Sequence, residues 1–250
     1  MVAFALLVLI IVVVVVVVLN SPSHIIKTAG KKVAEADYTE AERLYRKVWY
    51  KSPDAPLLLS EMFLYIAQKS KSTKGKVDAL KKALAIPEDG LQDSARGGLR
   101  NSRKGVIDFA SKKADEAFKR KDYDSAVELI DTLSGQGKTF VNKGIRFRAY
   151  KNGLEFLKGG SVKAVTSFLE SNGDLARKYI SEMGESLLGE KNFADSARIL
   201  ELVDDERSKK LWEKAILGYV LEHKHLIRRN GKVSERQLSL AERHAGSLSA

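Results

Sequence analysis

ADYTEAERLYRKVWYKSP, residues 36–53, is the stretch from which the rest of the chain is best read. Small Ala41 opens an apolar stripe that Leu44, Tyr45 and Val48 continue at spacings of three and four, the signature of one buried helix face. Tyr38 stands at the turn before it. Glu40, Glu42, Arg43, Arg46 and Lys47 fall on the opposite, solvated face, and Pro53 is expected to stop the helix. The stretch reads as the second helix of a helical hairpin, and most of the remaining sequence is an imperfect copy of it.

The chain has 250 residues, of which 44% are hydrophobic, enough for one or two domains with a sizeable core. It has no cysteine, which excludes disulfides and thiolate metal sites. Its formal net charge of +11 favours anionic partners, and a lysine-rich solvated helical surface accounts for the same excess.

Residues 2–19, VAFALLVLIIVVVVVVVL, are uninterrupted apolar sequence. As a helix they rise about 27 Å, close to the thickness of a bilayer core. The valine run at 12–18 is a poor helix former in water, but in lipid the backbone must satisfy its own hydrogen bonds. No Lys or Arg precedes the run, and Ser21-Pro22-Ser23 only weakly imitates a cleavage site, so an uncleaved signal anchor is expected rather than a signal peptide. Lys27, Lys31 and Lys32 follow the span, and the positive-inside rule then places the body in the cytoplasm. A basic extension upstream would reverse that orientation and put the body in the periplasm or another exterior compartment.

Helices are expected over 25–37, 57–69 and 77–86, with a basic polar turn at 70–75 and Pro87 closing the third. A short helix at 91–98 should break at Gly97-Gly98, and another should follow over 105–120. Further helices are expected over 125–133, 139–157, 162–169, 174–189, 193–203, 208–228 and 233–245. No run alternates long enough to be a strand.

Three segments align without a gap: ADYTEAERLYRKV at 36–48, KDYDSAVELIDTL at 121–133 and KNFADSARILELV at 191–203. Their aromatics are Tyr38, Tyr123 and Phe193, their small residues Ala41, Ala126 and Ser196, and their later apolar residues Tyr45, Ile130 and Leu200. Weaker copies lie around Val77 and Val162. The pattern of Ala41, Tyr45, Val48 and Pro53 resembles the tetratricopeptide repeat family. There a small residue opens the second helix, an aromatic follows four on, an aliphatic three later and a proline five later. Ala114 and Ala126 fall where the third copy needs its small residues. The first helices lack most of the family's Trp, Leu, Gly and Tyr positions, and Pro87 falls one residue early.

The resemblance covers roughly residues 25–205 at a period of about 34. It implies an all-α fold: an N-terminal single transmembrane helix, then an irregular α-solenoid of stacked hairpins. A generic irregular α-solenoid makes the same prediction. The expected organisation is an anchor at 1–20, a juxtamembrane segment and first helix at 21–35, repeats at 36–207 and capping helices at 208–250. In the cap, Trp212 and Tyr219 should cover the last hairpin while Lys209, Lys210, Lys214 and Lys224 stay wet.

Candidates for chemistry are weak. Residues 134–139, SGQGKT, resemble the end of a phosphate-binding loop, but Thr132 stands where a glycine is needed and an amphipathic helix stands where a strand is needed. His223 and His225 are two apart and point to different helix faces, unlike paired metal ligands. No catalytic residue, cofactor or metal is therefore assigned, and an enzyme is not expected.

Partner contacts are expected instead. First helices should line a groove for protein or peptide partners, with Lys113, Glu116, Arg146 and Tyr150 as candidates. Lys71, Lys74 and Lys76 on one loop, and Arg96, Arg100, Arg103 and Lys104 on the next, are candidates for a basic rim facing acidic protein or anionic lipid. Nucleic acid is disfavoured because no aromatics interleave with the cations. The expected function is a membrane-tethered scaffold or adaptor; the alternatives are a fixed structural subunit of a larger bacterial envelope complex, such as a secretion or motility apparatus, and a basic helical domain binding anionic lipid or nucleic acid.

Overall fold

A computed structural model describes residue 14 and residues 16–230. Most of the expected span at 2–19, and all of the expected helix at 233–245, lie outside the described residues. Among the described residues no helix is long and apolar enough to cross a membrane. Every regular element described is helical. In chain order the helices are α1 Pro22–Ala34, α2 Tyr38–Lys47, α3 Asp54–Lys69, α4 Thr73–Leu84, α5 Asp93–Lys119, α6 Tyr123–Asp131, α7 Lys138–Leu157, α8 Val162–Gly189, α9 Phe193–Leu200 and α10 Glu206–Asn230. A 3-10 turn at Ser134–Gln136 precedes α7. The chain divides into two compact units, the first ending at Val141 and the second beginning at Asn142.

The three aligned segments share one turn. Ala36, Lys121 and Lys191 hold φ of 59°, 61° and 60°, in the left-handed region that favours glycine. The preceding helices end there in Schellman motifs. Ala36 N–H donates to the Val33 carbonyl and Asp37 N–H to the Lys32 carbonyl. Lys121 and Asp122 repeat this on Phe118 and Ala117, and Lys191 and Asn192 on Leu188 and Leu187. Asp37, Asp122 and Asn192 then cap α2, α6 and α9, accepting from the N–H of Glu40, Ser125 and Asp195. The polar residue just before the aromatic in each aligned segment is thus a helix cap. Ala41, Ala126 and Ser196 are fully buried, where a small side chain lets neighbouring helices approach. Tyr45, Ile130 and Leu200 complete the buried face.

In the first unit α1 packs on α2, α3 on α4 and α5 on α6. The second and third hairpins stack in parallel, α3 against α5 and α4 against α6. Ser60 and Ser102 join α3 to α5 by a 2.8 Å hydroxyl contact, and Thr73 and Ser125 join α4 to α6 at 2.9 Å. In the second unit Ala149 of α7 shares a core with Val165, Leu169, Ala176, Ile180 and Met183 of α8 and with Ile199 and Val203. The long α8 is interrupted at Gly173 (φ 57°, ψ −142°), so its two halves behave as the separate helices expected at 162–169 and 174–189. α10 lies on α9 and α8. Trp212 packs beside Ala197, Ala215 and Ile216, and Lys209, Lys210 and Lys214 are exposed, whereas the Lys224 side chain lies outside the described residues. The Phe193 ring fits against Gly218, where an added Cβ would lie 2.4 Å from its Cε1.

Three expectations need correction. α2 ends at Lys47, well before Pro53. The Val48 carbonyl is taken by Lys51 and Ser52 N–H in a turn that buries Trp49, and Pro53 stands before α3 as its N-cap residue. Residues 91–98 and 105–120 are not separate helices, because α5 runs through Gly97 and Gly98. Two glycines cost about 1 kcal/mol each in a helix, but burial of Ala95, Leu99 and Val106 outweighs that. Finally, α4 begins at Thr73, capped by the Ser72 hydroxyl, so the weak copy around Val77 does not share the register of the others.

Candidate functional site

Lys113 and Glu116 both lie on α5 and pair with each other at 2.7 Å. Lys113 also reaches over the Phe109 ring, 5.9 Å from its centre. The hydrogen bond from Lys113 holds the Glu116 carboxyl below the usual carboxylate range, with Lys112 and Arg120 adding to the effect. Asp108, Ser111, Lys112, Asp115 and Lys119 extend this mixed-charge face of the helix.

Arg146 and Tyr150 belong to the second unit. The Arg146 guanidinium lies over two rings, 5.9 Å from the centre of Tyr150 and 5.8 Å from that of Tyr179 on α8. The Glu182 carboxylate stands 3.8 Å from Arg146 and 4.0 Å from Lys178. Burial pushes the Tyr150 hydroxyl above its ordinary range, and Arg146 partly offsets this. The site is an aromatic and guanidinium stack with one carboxylate, suited to side-chain recognition. Tyr179, Lys178 and Glu182 were not expected from the sequence, because they lie on the far side of the turn at Gly173.

A cavity of about 170 Å³ in the first unit was also not foreseen. Tyr38, Phe63, Ile66 and Ala79 give it apolar walls, and Glu42, Asp78 and Lys82 stand around it. Lys82 bridges to Glu42 at 3.4 Å and lies 5.3 Å from the centre of the Phe63 ring. No single segment carries this cavity, since α2, α3 and α4 each supply part of it.

The basic rim is largely engaged in holding the fold. Lys71 and Lys74 are exposed, but Lys76 donates to the Ser70 carbonyl at 2.6 Å. Arg96, Arg100, Arg103 and Lys104 lie on α5 instead of a loop. Arg96 donates to Asp93 and to the Leu91 carbonyl. Arg100 donates to Glu88 at 2.9 Å, and Arg103 grips both Glu88 and the Ile86 carbonyl. These contacts fasten residues 86–91 to α5. The hydrogen bond from Arg100 is the main reason that the Glu88 carboxyl titrates below its ordinary range, with Arg103 adding to it.

A depressed carboxylate stabilises the fold above its unfolded pKa and loses that contribution as pH falls through its folded pKa. Glu88→Gln should therefore lower stability at neutral pH and flatten the acid limb of the stability curve. The Arg103 Nε is already buried without a partner among the described residues, so this variant leaves the guanidinium poorly satisfied. Urea denaturation followed through Trp49 would read both effects, and parallel acid limbs for variant and parent would refute the assignment.

Among the described residues no cluster of His, Asp and Glu could hold a metal ion. Asp205 caps α10, accepting from the Ser208 backbone N–H and hydroxyl. Burial opposes its ionisation, but bonds from the Ser208 backbone and hydroxyl keep its carboxyl low. Comparison with protein-family models, curated proteins and solved structures finds no match.

Proposed function

We propose that this chain is a membrane-tethered helical-repeat scaffold of tetratricopeptide-like design, presenting binding surfaces to protein or peptide partners on the cytoplasmic side. The observation that carries the reading is the turn built three times, at Ala36, Lys121 and Lys191, each opening a helix with a small buried residue at the same position. Repetition of one hairpin unit is how helical arrays extend a binding surface. The Arg146–Tyr150–Tyr179 stack and the cavity beside Phe63 are the surfaces best equipped to recognise side chains.

The apolar run at 2–19 supplies the tether. Val14, Val16, Val17, Val18 and Leu19 are helical and each is at least half exposed, an apolar surface that suits a lipid surrounding. Tethering confines scaffold and partner to a thin layer, which raises effective concentration and lets modest contacts suffice.

A second reading, a fixed subunit of a larger envelope assembly, draws on Leu217, Val220 and Leu221. These form an exposed apolar stripe on α10 at helical spacing. One experiment on the full chain addresses both readings. Carbonate extraction and a reporter fused at Ala250 test the tether and its orientation, while photo-crosslinkers at Lys113 and Tyr150 are compared with one at exposed Lys163. Retention in the membrane, a cytoplasmic reporter and discrete adducts from the first two positions are expected. Release by carbonate would overturn the tether, and an exterior reporter would overturn the orientation. A stable high-mass complex in mild detergent would favour the second reading.

A further inference from the structure

The end of the apolar run is tied to one corner of the first unit. Asn20 N–H and side-chain amide both donate to the Val16 carbonyl, at 3.1 and 2.9 Å, and the Ser21 hydroxyl donates to the Val18 carbonyl at 2.8 Å. These groups close the helix at the point where polar sequence begins. Lys47, the last residue of α2, donates to Asn20 Oδ1 at 3.2 Å. That bond sets the α2 end and the turn after it beside the end of the apolar run.

The turn itself is well braced. Val48 and Trp49 are buried, and the Val48 carbonyl accepts from Lys51 N–H at 2.9 Å and Ser52 N–H at 3.0 Å. Tyr50, between them, faces outward and is 76% exposed. Its ring edge rests on Gly90, where an added Cβ would lie 3.2 Å away. Lys47 and Lys51 are also exposed, and among the described residues neither makes an ion pair. Arg46, by contrast, is held by Glu42 at 2.9 Å. Asp54 follows at the start of α3, where its charge favours that helix N-terminus.

We infer that Lys47, Tyr50 and Lys51 form a headgroup-binding corner for anionic phospholipids, seated on the membrane that the apolar run enters. The inference rests on the tether proposed above. An exposed tyrosine on a fixed turn suits the interfacial layer, where its apolar body and polar tip are both accommodated. Two lysines beside it, neither facing a carboxylate among the described residues, each add attraction to a negatively charged leaflet. With the corner seated, the first unit meets the bilayer in one orientation.

The absence of cysteine makes the test clean, because a single introduced thiol can be labelled. Ser52→Cys places a fluorophore in the corner with little change of shape. Glu35→Cys places one at the other end of the α1–α2 hairpin. The full chain is reconstituted into phosphatidylcholine vesicles, with or without phosphatidylserine, carrying a nitroxide on the headgroup. Position 52 should be quenched and position 35 should not, and phosphatidylserine should deepen the quenching at 52. Lys47→Gln with Lys51→Gln should abolish the phosphatidylserine effect, and Tyr50→Ser should weaken quenching in both lipids, with flotation unchanged. Flotation with equal quenching at the two positions, or a phosphatidylserine effect that survives both lysine changes, would overturn the corner alone. Failure to float would overturn the tether and the corner together.

Discussion

Replacing Gly184 by alanine is expected to cost the second unit about 2 kcal/mol, and replacing Leu200 by alanine about 3 kcal/mol. The double variant should cost clearly less than the sum. A Cβ on Gly184 would lie 2.5 Å from Leu200 Cγ and 2.6 Å from its Cδ2. Leu200 is 1% exposed and has no room to retreat. The helices are also pinned at this spacing, since the Ser196 hydroxyl donates to the Gly184 carbonyl at 2.8 Å. Leu200→Ala removes the atoms that the new methyl would strike, and the methyl then fills part of the resulting cavity. The coupling is therefore favourable, whereas distant sites simply add. Urea denaturation of a Trp49→Phe background, read through Trp212, isolates the second unit. Gly189→Ala is the control, because nothing lies within 4 Å of its Cβ. Strictly additive losses would refute this account of the α8–α9 contact.

Glycine at the three left-handed turn residues should have the opposite effect. Ala36→Gly, Lys121→Gly and Lys191→Gly each remove a steric penalty of about 1–2 kcal/mol, offset in part by the greater freedom of glycine in the unfolded chain. A gain of roughly 0.5–1 kcal/mol each is expected, about 2 kcal/mol in sum for such separated sites. Lys121→Val should instead destabilise by more than that gain, because a β-branched residue tolerates positive φ poorly. Thermal or urea unfolding of the single and triple variants decides the matter. A triple variant no more stable than its parent would show that these turns are not the strained points their φ values indicate.

The same turns explain which parts of the fold were legible in the sequence. A polar residue, an aromatic and a small residue recur because one caps, one packs and one admits a neighbouring helix. Each task restricts residue type, so it leaves a pattern. Where packing decided against local preference, the sequence misled. Gly97-Gly98 looks like a break, yet Leu99 and Val106 are fully buried and hold α5 continuous. Pro53 looks like the end of α2, yet burial of Trp49 ends that helix earlier. Site residues were least legible where partners come from different helices. Nothing in the spacing links Arg146 to Tyr179, or Glu88 to Arg100 and Arg103. The latter pairing turns an apparent cationic surface into an internal fastening.

The hairpin pattern also bears on how the chain reaches its folded state. α1 packs on α2, α3 on α4, α5 on α6 and α8 on α9, so the packed pairs are consecutive in sequence. Low contact order of this kind gives folding in microseconds to milliseconds. Translation, at roughly 5–20 residues per second, is far slower. The roughly hundred residues that follow Val141 take on the order of 5–20 s to synthesise. The first unit can therefore close before the second has left the ribosome. Each hairpin hides its apolar stripe as it emerges, which limits the time that aggregation-prone surface is open to neighbouring nascent chains.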